Sequence, residues 1–272
     1  LAVSLNTASA VKVQTDAGFE SAEITVNGKS DIDGFKAPGV TTVVLKGSGN
    51  LDIAKDQMTG IETLSATDYT GSLTTGTADA ITGSANGTVI TLGSGTDNIS
   101  VKDVSAATKS TTVKLGAGDD KVTVNAAGNA IYVFGEAGND SINAVTTALD
   151  SADVINGGEG TDTLTLSGNL ANNAMVLKSI EKVTINGAAG AGLAQTFTND
   201  DDATAITYKV DNSVVNLANL TAGSTVTVES ATNAATKTAG AVTVGFEEVE
   251  AANTIEVKSG MTGALTLSKI TA

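Results

Sequence analysis

The chain has 272 residues with 30 acidic and 15 basic side chains, a formal net charge of −15, and no His, Cys or Trp. Without His or Cys, Ser–His–Asp and Cys–His catalysis and His/Cys zinc sites are excluded. Every basic residue is Lys, so no bidentate Arg clamp on phosphate can form, and the charge argues against nucleic acid or anionic lipid as a partner. A two-carboxylate glycosidase stays chemically open, but no acid pair is singled out for it, and the chain is not read as an enzyme. Such acidity often accompanies disorder. Here Val, Ile, Leu and Thr alternate throughout, which predicts a packed β protein. No run of 18 apolar residues occurs, so no membrane-spanning segment is expected.

The first segment, residues 1–74, alternates at Val13-x-Thr15, Ile24-x-Val26 and Val43-x-Leu45, predicting half-buried strands. It ends on Met58-Thr59-Gly60-Ile61-Glu62-Thr63-Leu64-Ser65 and then Gly71-Ser72-Leu73-Thr74. Residues 75–168 follow as a second segment. Gly76-Thr77-Ala78-Asp79-Ala80-Ile81 opens it as a degenerate repeat at best, since its Gly lies out of phase.

One phrase is then written four times: an apolar strand, a Gly-containing turn carrying an acid, a second apolar strand. The turns are Leu92-Gly93-Ser94-Gly95-Thr96-Asp97, Leu115-Gly116-Ala117-Gly118-Asp119-Asp120, Gly135-Glu136-Ala137-Gly138-Asn139-Asp140 and Gly157-Gly158-Glu159-Gly160-Thr161-Asp162. The final Asp recurs at steps of 23, 20 and 22 residues. Ile90, Val113, Val133 and Ile155 precede the turns, and Ile99, Val122, Ile142 and Leu164 stand two places after the Asp. At one phrase per coil, the four Asp stack along one edge at about 4.8 Å. Carboxylates that close repel unless a cation lies between them. The competing reading is a set of ordinary Asx and Gly turns in which Asp serves local backbone donors. Asp119, Asp150, Asp153 and the run Asp200-Asp201-Asp202 read more readily as solvated turns than as ligands.

In the third segment, 169–272, a short helical turn is expected around 171–177, followed by strands at Val226-x-Val228 and Val242-x-Val244. Ile180-Glu181-Lys182-Val183 and Phe246-Glu247-Glu248-Val249 repeat the earlier Ile61-Glu62-Thr63-Leu64. Glu at a strand start is read as a cap on backbone donors or a solvent-facing residue rather than a ligand. With 3% aromatics, the core has to be a narrow stack of Val, Ile, Leu and Ala.

The four phrases resemble the repeats-in-toxin (RTX) pattern Gly-Gly-x-Gly-x-Asp-x-apolar-x, which folds as a parallel β-roll around calcium. Gly157 to Thr165 matches it fully, Glu136 replaces the second Gly of the third copy, and Leu92 and Leu115 replace the first Gly of the other two. The resemblance implies an all-β fold: a β-roll or β-solenoid over 75–168, flanked by solenoid- or sandwich-like segments. It implies Ca2+ held by Asp97, Asp120, Asp140 and Asp162, with Asp119 and Asn139 beside them. Carbonyls at Gly93, Gly95, Gly116, Gly118, Gly135, Gly138, Gly158 and Gly160 would complete the six to eight oxygens calcium takes. Four rungs enclose three gaps, and binding is expected to couple to the folding of 75–168.

Composition and the Ile-Glu-x-Val strands together resemble bacterial surface-layer proteins of the RTX-linked type. That resemblance implies a secreted structural protein at the cell surface, where calcium is millimolar, self-assembling with copies of itself. It also implies an envelope-glycan anchor outside this sequence. The start at Leu1, with no initiator Met or signal peptide, suggests a processed or excised piece of a longer chain. The alternatives are the calcium-rigidified region of a secreted RTX adhesin and the β-roll part of a secreted polysaccharide-acting enzyme.

Overall fold

The computed structural model describes residues 1–53, 58–76, 81–102, 109–126, 129–146, 152–168, 175–187, 193–196, 205–209, 215–220, 225–229, 242–246, 254–257 and 265–269. Every element among them is a β-strand, and every strand pair is parallel. The short, Val/Ile/Thr-rich runs cannot bury themselves alone. They coil, so that each strand pairs with its counterpart one coil later and the chain becomes a β-solenoid. A nine-stranded sheet runs from Ala2–Leu5 to Val176–Lys178, and a long sheet runs from Val11–Gln14 to Thr254–Val257. From Leu193–Thr196 onward a separate four-stranded sheet alternates with the long one.

Both segment boundaries expected from the sequence are crossed by strand pairing. Thr74 pairs with Asn98 across the first, and Thr163–Gly168 pairs residue for residue with Lys182–Gly187 across the second. The described strands of the flanking segments therefore continue the solenoid. Of the short helical turn expected around 171–177, residues 171–174 lie outside the described set, and residues 176 and 177 belong to the strand Val176–Lys178, with Leu177 in register with Ile155.

The core consists of in-register columns. In the nine-stranded sheet Ala22, Val43, Leu64, Ile90, Val113, Val133, Ile155 and Leu177 stack in line and are all buried. Facing them, Ile99, Val122, Ile142, Leu164 and Val183 form a column of the long sheet. The pre-turn and post-Asp positions of the four phrases thus line the two walls. Each such side chain contributes about 1.5–3 kcal/mol of burial.

A second column explains the glycines. Gly28, Gly49, Gly71, Gly95, Gly118, Gly138 and Gly160 recur 20 to 24 residues apart, and from Gly49 onward a Cβ on each would strike the backbone of the one before it. Backbone therefore rests on backbone along this edge, which only Gly permits. The coil period begins well before residue 75, carried by Gly28, Gly49 and Gly71 without the Asp.

Candidate metal centre

The four Asp-bearing turns each lead from the nine-stranded sheet to the long sheet, so all lie on one edge. They stack through main-chain bonds: Gly118 N–H donates to Ala137 O at 2.8 Å, and Gly138 N–H to Glu159 O at 2.9 Å. Ala117, Ala137 and Glu159 bridge in line.

Register places one residue per coil in a single file: Leu51, Leu73, Asp97, Asp120, Asp140, Asp162 and Glu181. Ser30 pairs with Leu51 ahead of these, and the file is acidic from Asp97 to Glu181. All four Asp are at most 2% exposed. Each carboxylate reaches back one coil and accepts a backbone N–H through Oδ1. Leu73 N–H donates to Asp97 at 2.6 Å, Asp97 N–H to Asp120 at 2.7 Å, Asp120 N–H to Asp140 at 2.9 Å and Asp140 N–H to Asp162 at 2.7 Å. Asp162 N–H donates to Glu181 Oε2 at 2.5 Å. The Asp do serve backbone donors, but between coils rather than within a turn.

The other carboxylate oxygen is the informative one. Oδ2 of Asp120, Asp140 and Asp162 is buried and accepts no hydrogen bond. A buried acceptor left unmade costs about 1–3 kcal/mol, more when charged. Burial is the largest effect on their acidity. It pushes Asp97 up to about 6 and Asp120 and Asp140 up to about 7, against the relief of the accepted N–H and, for the latter two, with neighbouring carboxylates adding to the rise. Asp162 is raised by burial too, with the Glu181 charge adding to it. At neutral pH this edge is short of positive charge.

Glycine makes room beside two of the four. A Cβ on Gly135 would collide with Asp140 Oδ2 and the Gly157 carbonyl, and one on Gly157 with Asp162 Oδ2 and the Ser179 carbonyl. Each cradle brings together an orphaned carboxylate oxygen and a main-chain oxygen, the donor types that hard cations prefer. The first two copies carry the buried side chains of Leu92 and Leu115 at the corresponding position. Among the described residues no three acidic side chains converge on one point, so carbonyls have to supply most of any calcium shell. Gly93 O and Gly116 O already accept the N–H of Ala117 and Ala137, each keeping a second lone pair.

The remaining expected ligands divide. Asp119 and Asn139 are exposed and form a separate ladder on the outside of the turns. Asp119 Oδ1 accepts from Asn139 N–H at 2.8 Å, and Asn139 Oδ1 accepts from Thr161 N–H at 2.9 Å. Asp153 is 1% exposed and accepts the Ile131 N–H at 2.7 Å, so it is a buried inter-coil cap and not a solvated turn. Asp150, the run 200–202 and Glu247 lie outside the described residues. Glu62 and Glu181 do not share a face. Glu62 follows Met58–Ile61, which joins the long sheet through Ile81–Gly83, and precedes Thr63–Ser65 of the nine-stranded sheet; Glu181 stands at the opposite kind of corner. Glu62 accepts from Asn86 Nδ2 at 2.6 Å and Ser84 Oγ at 3.2 Å.

Tyr69 lies near Asp97. It is 1% exposed, its hydroxyl donates to Gly49 O at 2.5 Å, and burial together with the nearby Asp97 charge raises its pKa. In comparisons with known proteins, no family model, no curated protein and no solved structure matches this chain.

Proposed function

We propose that this chain is a structural β-solenoid whose acidic edge is closed by calcium, and that it serves as a rigid segment of a bacterial surface layer outside the cell. The observation that carries the reading is the file Asp97–Asp120–Asp140–Asp162, buried and unbroken, with three Oδ2 oxygens that no donor reaches. Calcium supplies positive charge and a taste for mixed carboxylate and carbonyl oxygens. Asp140 and Asp162, each beside a glycine cradle, are the best-furnished rungs; Asp97 and Asp120 extend the same file. Carbonyls of the Gly turns complete the shell.

A solenoid ordered this way is stiff along its axis and needs no catalytic group. Millimolar calcium outside cells suits Gly-rich sites of modest affinity. The lattice itself rests on the resemblance of the composition and the Asp phrases to RTX-linked surface-layer proteins, in which copies of one chain are the partners.

Calcium titration of the purified chain, followed by circular dichroism and electron microscopy of the same samples, tests both parts. The expected result is a calcium-dependent gain in thermal stability together with two-dimensional sheets. A calcium response without sheets favours the adhesin stalk. Indifference to calcium and to chelator overturns the proposal.

A further inference from the structure

We propose that Glu181 is a further cation ligand of the acidic edge, so that calcium fills a fourth gap, between Asp162 and Glu181, beyond the three enclosed by the Asp turns. This inference rests on the calcium reading above. Its first support is register. Lys182 pairs with Thr163 as Thr163 pairs with Ser141 and Ser141 with Lys121, which puts Glu181 in the file directly after Asp162. Its second is the bond it makes. Asp162 N–H donates to Glu181 Oε2 as the amides of Asp97, Asp120 and Asp140 donate to the next carboxylate along.

An independent observation points to a ligand in this gap. Asp162 is fully buried, and its Oδ2, which has no donor, lies in the cradle left by Gly157. The Ser179 carbonyl occupies the same cradle. In the preceding gap the corresponding parts are Asp140 Oδ2, the cradle of Gly135 and the Gly157 carbonyl. The two gaps are built alike, although nothing in the sequence 178–182 resembles an RTX turn.

The difference lies in chain length. Lys178 pairs with Asn156 and Lys182 with Thr163, yet only three residues separate Lys178 from Lys182 where six separate Asn156 from Thr163. The shortened corner is turned by Ser179 at φ 48, a left-handed conformation that is unusual for Ser. Glu, one methylene longer than Asp, restores the carboxylate to the file from this tighter turn.

The test is calcium stoichiometry of the full chain, by equilibrium dialysis after chelator treatment, on the wild type and on Glu181→Gln. The Gln side chain still offers an oxygen to the Asp162 amide but has no charge. The expected result is one calcium fewer per chain in Glu181→Gln, with unchanged β content. Wild-type stoichiometry and affinity in the variant overturn the role of Glu181 and leave the calcium reading standing. A wild type that binds no calcium overturns both. Should Glu181→Gln not fold, Glu181→Asp serves instead. It keeps the charge but falls a methylene short, so a tenfold or greater weakening of the fourth site supports the proposal and an unchanged isotherm overturns it.

Discussion

Asp140→Asn probes how the acidic edge carries its charge when no cation is present. Burial, reinforced by the charges of Asp120, Asp162 and Asp119 and opposed by the Asp120 amide, moves Asp140 from 3.8 to about 7. A folded-state pKa above the unfolded one means that the native protein holds the extra proton. The stability this contributes is complete below about pH 4 and is lost as pH rises through 7. Roughly three pH units at about 1.36 kcal/mol each put the cost of ionising Asp140 in the fold near 4 kcal/mol at pH 8. Asn stays neutral, and its Oδ1 can still accept the Asp120 amide. Its Nδ2 replaces the orphaned Oδ2 and needs an acceptor, whose absence would return about 1–3 kcal/mol. In chelator at pH 8 the variant is therefore expected to be more stable than the wild type by about 1–3 kcal/mol. The advantage fades or reverses by pH 5. Denaturant midpoints followed by far-ultraviolet circular dichroism at pH 5, 6, 7 and 8 read it directly. With calcium at pH 8 the order inverts, because only the wild type retains the carboxylate. A variant less stable than the wild type by the same margin at pH 5 and pH 8 in chelator would refute the reasoning, since Asp140 would then be ionised and satisfied in the native state.

Three further outcomes follow from the backbone. Gly138→Ala, at φ 132 and with a Cβ forced onto the Gly118 carbonyl, should lower stability by more than about 3 kcal/mol, whereas Gly60→Ala, at φ 73 with nothing within 4 Å, should lose only about 1–2 kcal/mol; equal guanidinium midpoints for the two would contradict the stacked-backbone account. Glu136→Gly relieves a left-handed non-glycine at φ 72 and should shift the midpoint upward by as much as about 1 kcal/mol, and a drop would show that the Glu136 side chain holds the turn. Tyr69→Phe strands the Gly49 carbonyl and should cost about 1–2 kcal/mol, visible as a lower Tm in chelator and in calcium alike.

Much of the architecture is legible in the chain because a solenoid repeats at fixed sequence distance. The Asp steps of 23, 20 and 22 residues are the coil lengths. The apolar positions flanking the turns become the two inner walls, since period-2 alternation and coil length together dictate which side chains face inward. The upstream coils were harder to see because their marker is glycine alone. Gly28, Gly49 and Gly71 hold the same place as Gly95, but Leu51 and Leu73 stand where Asp would have advertised them.

Local phrase and spacing thus specified the parallel coils, the shared edge of the four turns and the Asp file. Tertiary stacking decided the rest. It determined that Oδ1 of each Asp is taken by the preceding coil while Oδ2 of Asp120, Asp140 and Asp162 is left bare, that Asp153 is buried against Ile131, and that Glu181 follows Asp162 in the file while its sequence look-alike Glu62 sits at the other kind of corner. These depend on which coil lands above which and on how many residues each corner consumes. A corner shortened from six residues to three leaves no mark in a motif, yet it sets where a carboxylate comes to rest.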